Sequence, residues 1–141
     1  MINSFSRFKN SIQRIKNTYS LYIHLLDEKG FEHIIIADIL RSEVVYTIAA
    51  LDRLIHDLVL AGIIEIYLGT RPQTPSYENI TLNLLQIDIL NQAQIPEFEL
   101  RQIIINKHKF LSFQEPDKIN QALSMITSEQ HKWQKISNSF G

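Results

Sequence analysis

The stretch that decides the fold is DILRSEVVYTIAALDRLIHDLVLAGIIEIYL, residues Asp38 to Leu68. From Val44 to Leu51 it carries no charged residue. A helix here is apolar on nearly all sides rather than along one stripe, and such a helix has to be wrapped by others. Its polar residues fall mostly at Asp38, Arg41, Ser42, Asp52, Arg53, His56 and Asp57. Spacings of three, four and eleven place most of these near one line of the helix. That line, with Asp38, Arg41, Asp52 and His56 along it, is either a solvent seam or a site.

A membrane-spanning helix needs roughly 20 consecutive, predominantly apolar residues. Glu43, Asp52, Arg53, His56 and Asp57 interrupt the run, so the stretch reads as the long central helix of a soluble protein. Gly62 is expected to loosen its end, because glycine inside a helix costs about 1 kcal/mol relative to alanine. The segment Ile63 to Leu68 is rich in β-branched residues, yet helical continuation is the simpler reading.

Upstream, the short apolar run FEHIIIA (Phe31 to Ala37) leads to Asp38, whose carboxylate suits the cap of the central helix. His33 has no partner at ligand spacing and reads as structural. Before that, Ile2, Phe5, Phe8, Ile12, Ile15, Tyr19, Tyr22, Ile23 and Leu26 recur at helical spacing. They predict a long amphipathic helix with one buried face that ends near Lys29-Gly30. Arg7, Lys9, Arg14 and Lys16 fall on its other face and read as a solvated surface rather than an RNA contact strip.

Downstream, GTRPQTPS with Gly69, Pro72 and Pro75 is the clearest break and reads as an exposed connection. Between Ser76 and Ala93, Ile80, Leu82 and Leu84 alternate like a strand, while Ile80, Leu84, Ile87 and Leu90 repeat like a helix. Helix is the reading adopted. Pro96 opens a further helix, IPEFELRQIIINKHKFL, with Glu97 and Glu99 favourably placed in its first turn. Two short helices complete the chain. The first starts at Pro116-Asp117 with an apolar edge of Ile119, Leu123 and Ile126, and the second carries Trp133, Ile136 and Phe140.

The 141 residues suit a single domain with a real core, residues 1–141. An apolar share of 45% against 21% charged is globular rather than disordered. Four glycines and four prolines leave little room for a turn-rich all-β fold, so an all-α helical bundle is expected. A net charge of −1 supplies no global basic field for nucleic acid. The absence of cysteine excludes disulfides, thiolate metal sites and a cysteine nucleophile. Residues Met1 to Arg14 lack the continuous apolar core of a signal peptide, and a cytoplasmic location is expected.

Catalysis needs a constellation, and two candidates arise. Arg53 and His56, flanked by Asp52 and Asp57, form the densest cluster of titratable groups. Histidine moves protons near neutral pH and arginine holds phosphate. The plainer alternative is the polar side of the central helix, with Asp52 and His56 as an i, i+4 pair. Arg101 and His108 are separated by nearly two turns on the same side of a helix, a pattern common by chance. His24, His108 and His131 lack any metal-binding spacing, so neither a metal nor a cofactor is expected.

The phrase IADILRSEVVYTIAALDRLIHDLV, followed by FLSFQEPDKINQALSMI and then HKWQKIS, resembles the HEPN superfamily, specifically its RiboL-PSP-HEPN and MAE-type groups. The resemblance covers most of the chain from Ala37 to Ser137. It implies an all-α bundle, usually a homodimer, in a superfamily with many metal-independent ribonucleases of toxin-antitoxin or phage-defence systems. RNA or a cognate antitoxin is then an expected partner. Active members carry an arginine, then a histidine four to six residues on, on a late helix beyond the tryptophan that resembles Trp133. No arginine follows Arg101 here. The expectation is either a chain that ends before the catalytic helix or a complete but inactive module, in both cases inactive as it stands and acting through self- or partner association. The alternatives are an active ribonuclease with a non-standard pair, Arg101 and His108 or Arg53 and His56, and a structural adaptor without an RNA role.

Overall fold

The computed structural model describes residues 2–27 and 33–140. Among the described residues every regular element is an α-helix, so the chain is all-α. The helices are α1 (Ile2–Asp27), α2 (His33–Tyr67), α3 (Pro75–Glu78), α4 (Leu84–Gln92), α5 (Pro96–His108), α6 (Pro116–Ser124) and α7 (Lys132–Phe140). No helix of the described residues is long and apolar enough to cross a membrane. The helix end expected at Lys29-Gly30 lies outside the described residues, as do Phe31 and the side chain of His33.

α2 begins at His33 rather than at Asp38. No glycine or proline separates His33 from Asp38, so the three isoleucines between them form helix and Asp38 becomes an interior position. It is therefore not a cap. Its carboxylate accepts from Arg41 Nη1 at 2.7 Å, and its carbonyl accepts from Ser42 Oγ at 2.8 Å.

The chain divides into two compact units, Met1–Leu54 and Ile55–Gly141, and α2 contributes to both. In the first unit, α1 half-buries Phe8, Ile12, Ile15, Tyr22 and Leu25, a line at helical spacing. The broader buried face expected of α1 is not formed, since Phe5, Tyr19, Ile23 and Leu26 are exposed. Arg7, Lys9, Arg14 and Lys16 are exposed, as expected. The apolar middle of α2 is not wrapped either. Val44, Val45, Tyr46, Ile48 and Leu51 all lie on the surface of the chain. The reason is one of supply: the only other described helix of this unit is α1, which cannot cover an apolar helix on every side.

The second unit holds the core. Ile55, Val59, Ile63 and Ile64 of α2 pack with Leu100 and Ile104 of α5, with Phe113, with Ile119 and Ala122 of α6, and with Ile126. Gly62 does not loosen α2, which continues to Tyr67. A Cβ at Gly62 would stand 2.5 Å from Ile126 Cγ2, so glycine is what lets this isoleucine seat against the helix. Gly69, at φ 72°, turns the chain out of α2.

The break GTRPQTPS is tied down rather than loose. Arg71 pairs with Glu65 at 2.8 Å and donates from Nη1 to the Ile126 carbonyl at 3.1 Å. Thr74 is buried, donates to the Met125 carbonyl at 3.0 Å, and caps α3 by accepting from Tyr77 N. Ile80 and Leu82 belong to neither helix nor strand but to the connection before α4. A reciprocal capping box of Asn83 and Gln86 fixes the later start of α4 at Leu84. Pro96 and Pro116 begin their helices where the sequence suggests, and the last helix, α7, begins at Lys132. Trp133 is exposed, and the side chains of Ile136 and Phe140 lie outside those described.

Candidate functional site

Two histidines that stand far apart in the sequence meet in the second unit. His56 projects from α2, and His108 is the last residue of α5. The chain turns beyond His108, where Leu111 N donates to the His108 carbonyl at 2.9 Å. That turn brings the Leu111 carbonyl to 3.2 Å from His56 Nε2 and carries Phe113 into the core. A carbonyl oxygen only accepts, so His56 holds its proton on Nε2 in this contact.

The three rings form one cluster. The His56 and Phe113 centroids lie 4.4 Å apart, tilted by 48°. His108 meets Phe113 edge-on, at 6.4 Å and 88°. The two imidazoles are themselves 6.4 Å apart. These separations and tilts fall in the range that aromatic pairs prefer.

His108 is only 9% exposed, whereas His56 is half-buried. Burial pushes the His108 imidazole below the ordinary histidine value, and the nearby His56 ring and Lys107 ammonium push it the same way. At neutral pH His108 is therefore a neutral ring in an apolar setting. Such a ring can take up a proton only as the pH falls, or if the cluster opens.

The remaining predicted residues are distributed differently. Arg101 is half-buried on α5, about 10 Å along the axis from His108 at 1.5 Å per residue. Arg53 is exposed on α2 and lines a cleft of the first unit. The seam residues also differ: Asp38 and Arg41 form an exposed pair, while Asp52 and Asp57 are half-buried. No group of three or more histidines and carboxylates able to hold a metal ion occurs among the described residues.

Against family profiles, curated proteins and solved structures, the chain finds no match. Its functional reading therefore rests on its own residues.

Phe113 was not legible as a site residue. The sequence names both histidines as candidates, but nothing in it pairs two residues on separate helices through the ring between them. A second feature was legible only in part, because the sequence marks residues 44–51 as apolar but expects them to be wrapped. On α2, Val44, Ile48 and Leu51 form an exposed apolar line at i, i+4, i+7 spacing, with Val45 beside it.

Proposed function

We propose that the chain is a cytoplasmic helical association module of the HEPN type, related to the metal-independent ribonucleases of toxin-antitoxin or phage-defence systems but not itself cleaving RNA. It acts by pairing with a second copy of itself through the apolar line of α2. The observation that carries this reading is the exposure of Val44, Val45, Ile48 and Leu51 on a helix whose later turns form the core. A contiguous apolar strip of this kind on a globular chain marks a surface that another molecule covers. The inactive assignment is supported by the state of the best-placed base. His108 is buried, and metal-free RNA cleavage needs an accessible base for the ribose 2′-hydroxyl and a cation for the phosphorane.

Sedimentation equilibrium of the purified chain tests the pairing. A dimer is expected, and Ile48→Glu should convert it to a folded monomer of unchanged helicity. A wild-type chain that stays monomeric at all accessible concentrations would sink the reading.

One observation favours a second reading. The convergence of His56 and His108 supplies two imidazoles of unequal burial, as a pair of acid and base requires. On this reading the chain is a ribonuclease that uses these histidines with Arg53 or Arg101. Cleavage of a panel of labelled RNAs in EDTA decides between the two. Activity lost in both His56→Ala and His108→Ala supports the ribonuclease, and absence of cleavage by the wild-type chain eliminates it.

A further inference from the structure

Within the first unit, α1 and α2 enclose a cleft of about 470 Å³, inside the range of small-ligand sites. Its lining includes Ser11, Arg14 and Thr18 from α1 and Glu43, Tyr46 and Arg53 from α2. The cleft lies on a different side of α2 from Val44, Ile48 and Leu51, none of which lines it. It is thus independent of the pairing surface.

Glu43 is the unusual member. It is 7% exposed, and its side chain makes no hydrogen bond or ion pair among the described residues. Its backbone carbonyl accepts from Thr47, and no side chain among the described residues donates to the carboxylate. No buried side-chain oxygen among the described residues lacks a hydrogen-bond partner, so the carboxylate oxygens open onto the cleft rather than being sealed away from it. The carboxylate borders the cleft and takes no donor from the described side chains, so a molecule bound there can supply the donors. Arg14 likewise makes no side-chain hydrogen bond or ion pair among the described residues, which leaves its guanidinium fork available to an anion.

The other groups narrow the chemistry. Ser11 Oγ donates to the Arg7 carbonyl at 3.1 Å, and Thr18 Oγ1 donates to the Arg14 carbonyl at 3.2 Å. With their protons so engaged, both hydroxyls face the cleft as acceptors. Tyr46 is largely exposed and offers a ring face for stacking. The cleft therefore combines a carboxylate that can accept two hydrogen bonds, an aromatic platform and a cationic fork.

We propose that this cleft binds a guanine nucleotide: Glu43 accepts from the N1–H and N2–H edge of the base, Tyr46 stacks on the base, and Arg14 holds the phosphate. Guanine presents two adjacent donors that match both oxygens of one carboxylate. Adenine presents an acceptor at N1 against the same carboxylate, which leaves it unpaired and repelled. The base can belong to a free mononucleotide or to an unstacked residue of a single strand.

Isothermal titration of the full chain with GMP, AMP, inorganic phosphate and a guanine-centred trinucleotide tests this. GMP is expected to bind saturably at one site, with AMP and phosphate weaker by about tenfold or more. Tighter binding of the trinucleotide would place the guanine in a strand, and tighter binding of GMP would make it a free nucleotide. Either result supports the base site. Glu43→Gln should abolish the preference of GMP over AMP. Arg14→Ala, a change at an exposed position that leaves the fold intact, should weaken GMP by about tenfold while leaving guanosine unaffected. Equal binding of GMP and AMP, no saturable binding of either guanine ligand, or a Glu43→Gln variant that keeps its preference with wild-type helicity would each overturn the proposal.

Discussion

Val45 and Ile63 stand above one another on α2, eighteen positions apart, which is five turns at 3.6 residues per turn. The first is 63% exposed and the second 1%. Tyr46 and Ile64, at the same interval, are 64% and 4% exposed. One side of one helix is therefore surface in its first half and core in its second. The two halves read alike in hydropathy; they differ in what the rest of the chain supplies. Around Ile55 to Ile64, α5, α6 and the Phe113 connection furnish apolar partners. The first unit has only α1 among its described helices. An apolar helix demands a cover, but its own sequence does not say who provides it.

The sharpest way to break this comparison is to truncate both members of the Val45–Ile63 pair. Ile63→Ala should cost about 2–5 kcal/mol, the range for emptying a packed site. Val45→Ala should stay within about 0.5 kcal/mol, as surface changes do. Urea unfolding at low protein concentration measures both. A Val45→Ala loss approaching that of Ile63→Ala would show that the first half is also buried in solution, with a second molecule as the cover. A loss that grows with protein concentration would give the same answer by mass action.

Punctuation made most helix boundaries legible. Pro96 and Pro116 open α5 and α6, and Gly69 lies just past α2, each for a reason a single residue carries. The errors arose where a residue's meaning depended on a distant one. Gly62 reads as a weak point in the helix until Ile126 is found against it. Asp38 reads as a cap only if the isoleucines before it are outside the helix, and they are inside. Of the site candidates, His56 and His108 were named for their chemistry. Their meeting through Phe113 depends on the turn after α5. Glu43 reads as one charge interrupting an apolar run, and its burial beside a cleft is set by α1.

A smaller, pH-dependent effect is expected at His108, the end of α5 that meets His56 in the buried half of α2. The pKa of His108 is lowered from the ordinary 6.5 in the folded chain, first by burial and then by His56 and Lys107. The unfolded chain therefore binds this proton more readily than the native one. The contribution is fully present above the unfolded value and is lost as pH falls below it, levelling once the native group also protonates. Urea midpoints should decline as pH drops below 6.5. Carboxylates add a decline of their own at lower pH, so the test is a difference: His108→Gln should flatten the curve just below neutrality and leave the acid limb in place. An unchanged slope would mean that the ring is hydrated in solution.

The least effect is expected at the start of α2. Arg41 and Asp38 sit at 2.7 Å, but their side chains are 76% and 63% exposed. An exposed i, i+3 pair is screened by water and salt and must hold two mobile side chains in place, so Arg41→Ala should cost no more than about 0.5 kcal/mol. Added salt should reduce even that. Unfolding of wild type and variant at low and high ionic strength measures the difference. A salt-resistant loss well above 1 kcal/mol cannot come from a solvated pair of this kind. It would mean that the charged seam is covered in solution, extending the surface that meets a second molecule from the apolar line of α2 onto its polar one.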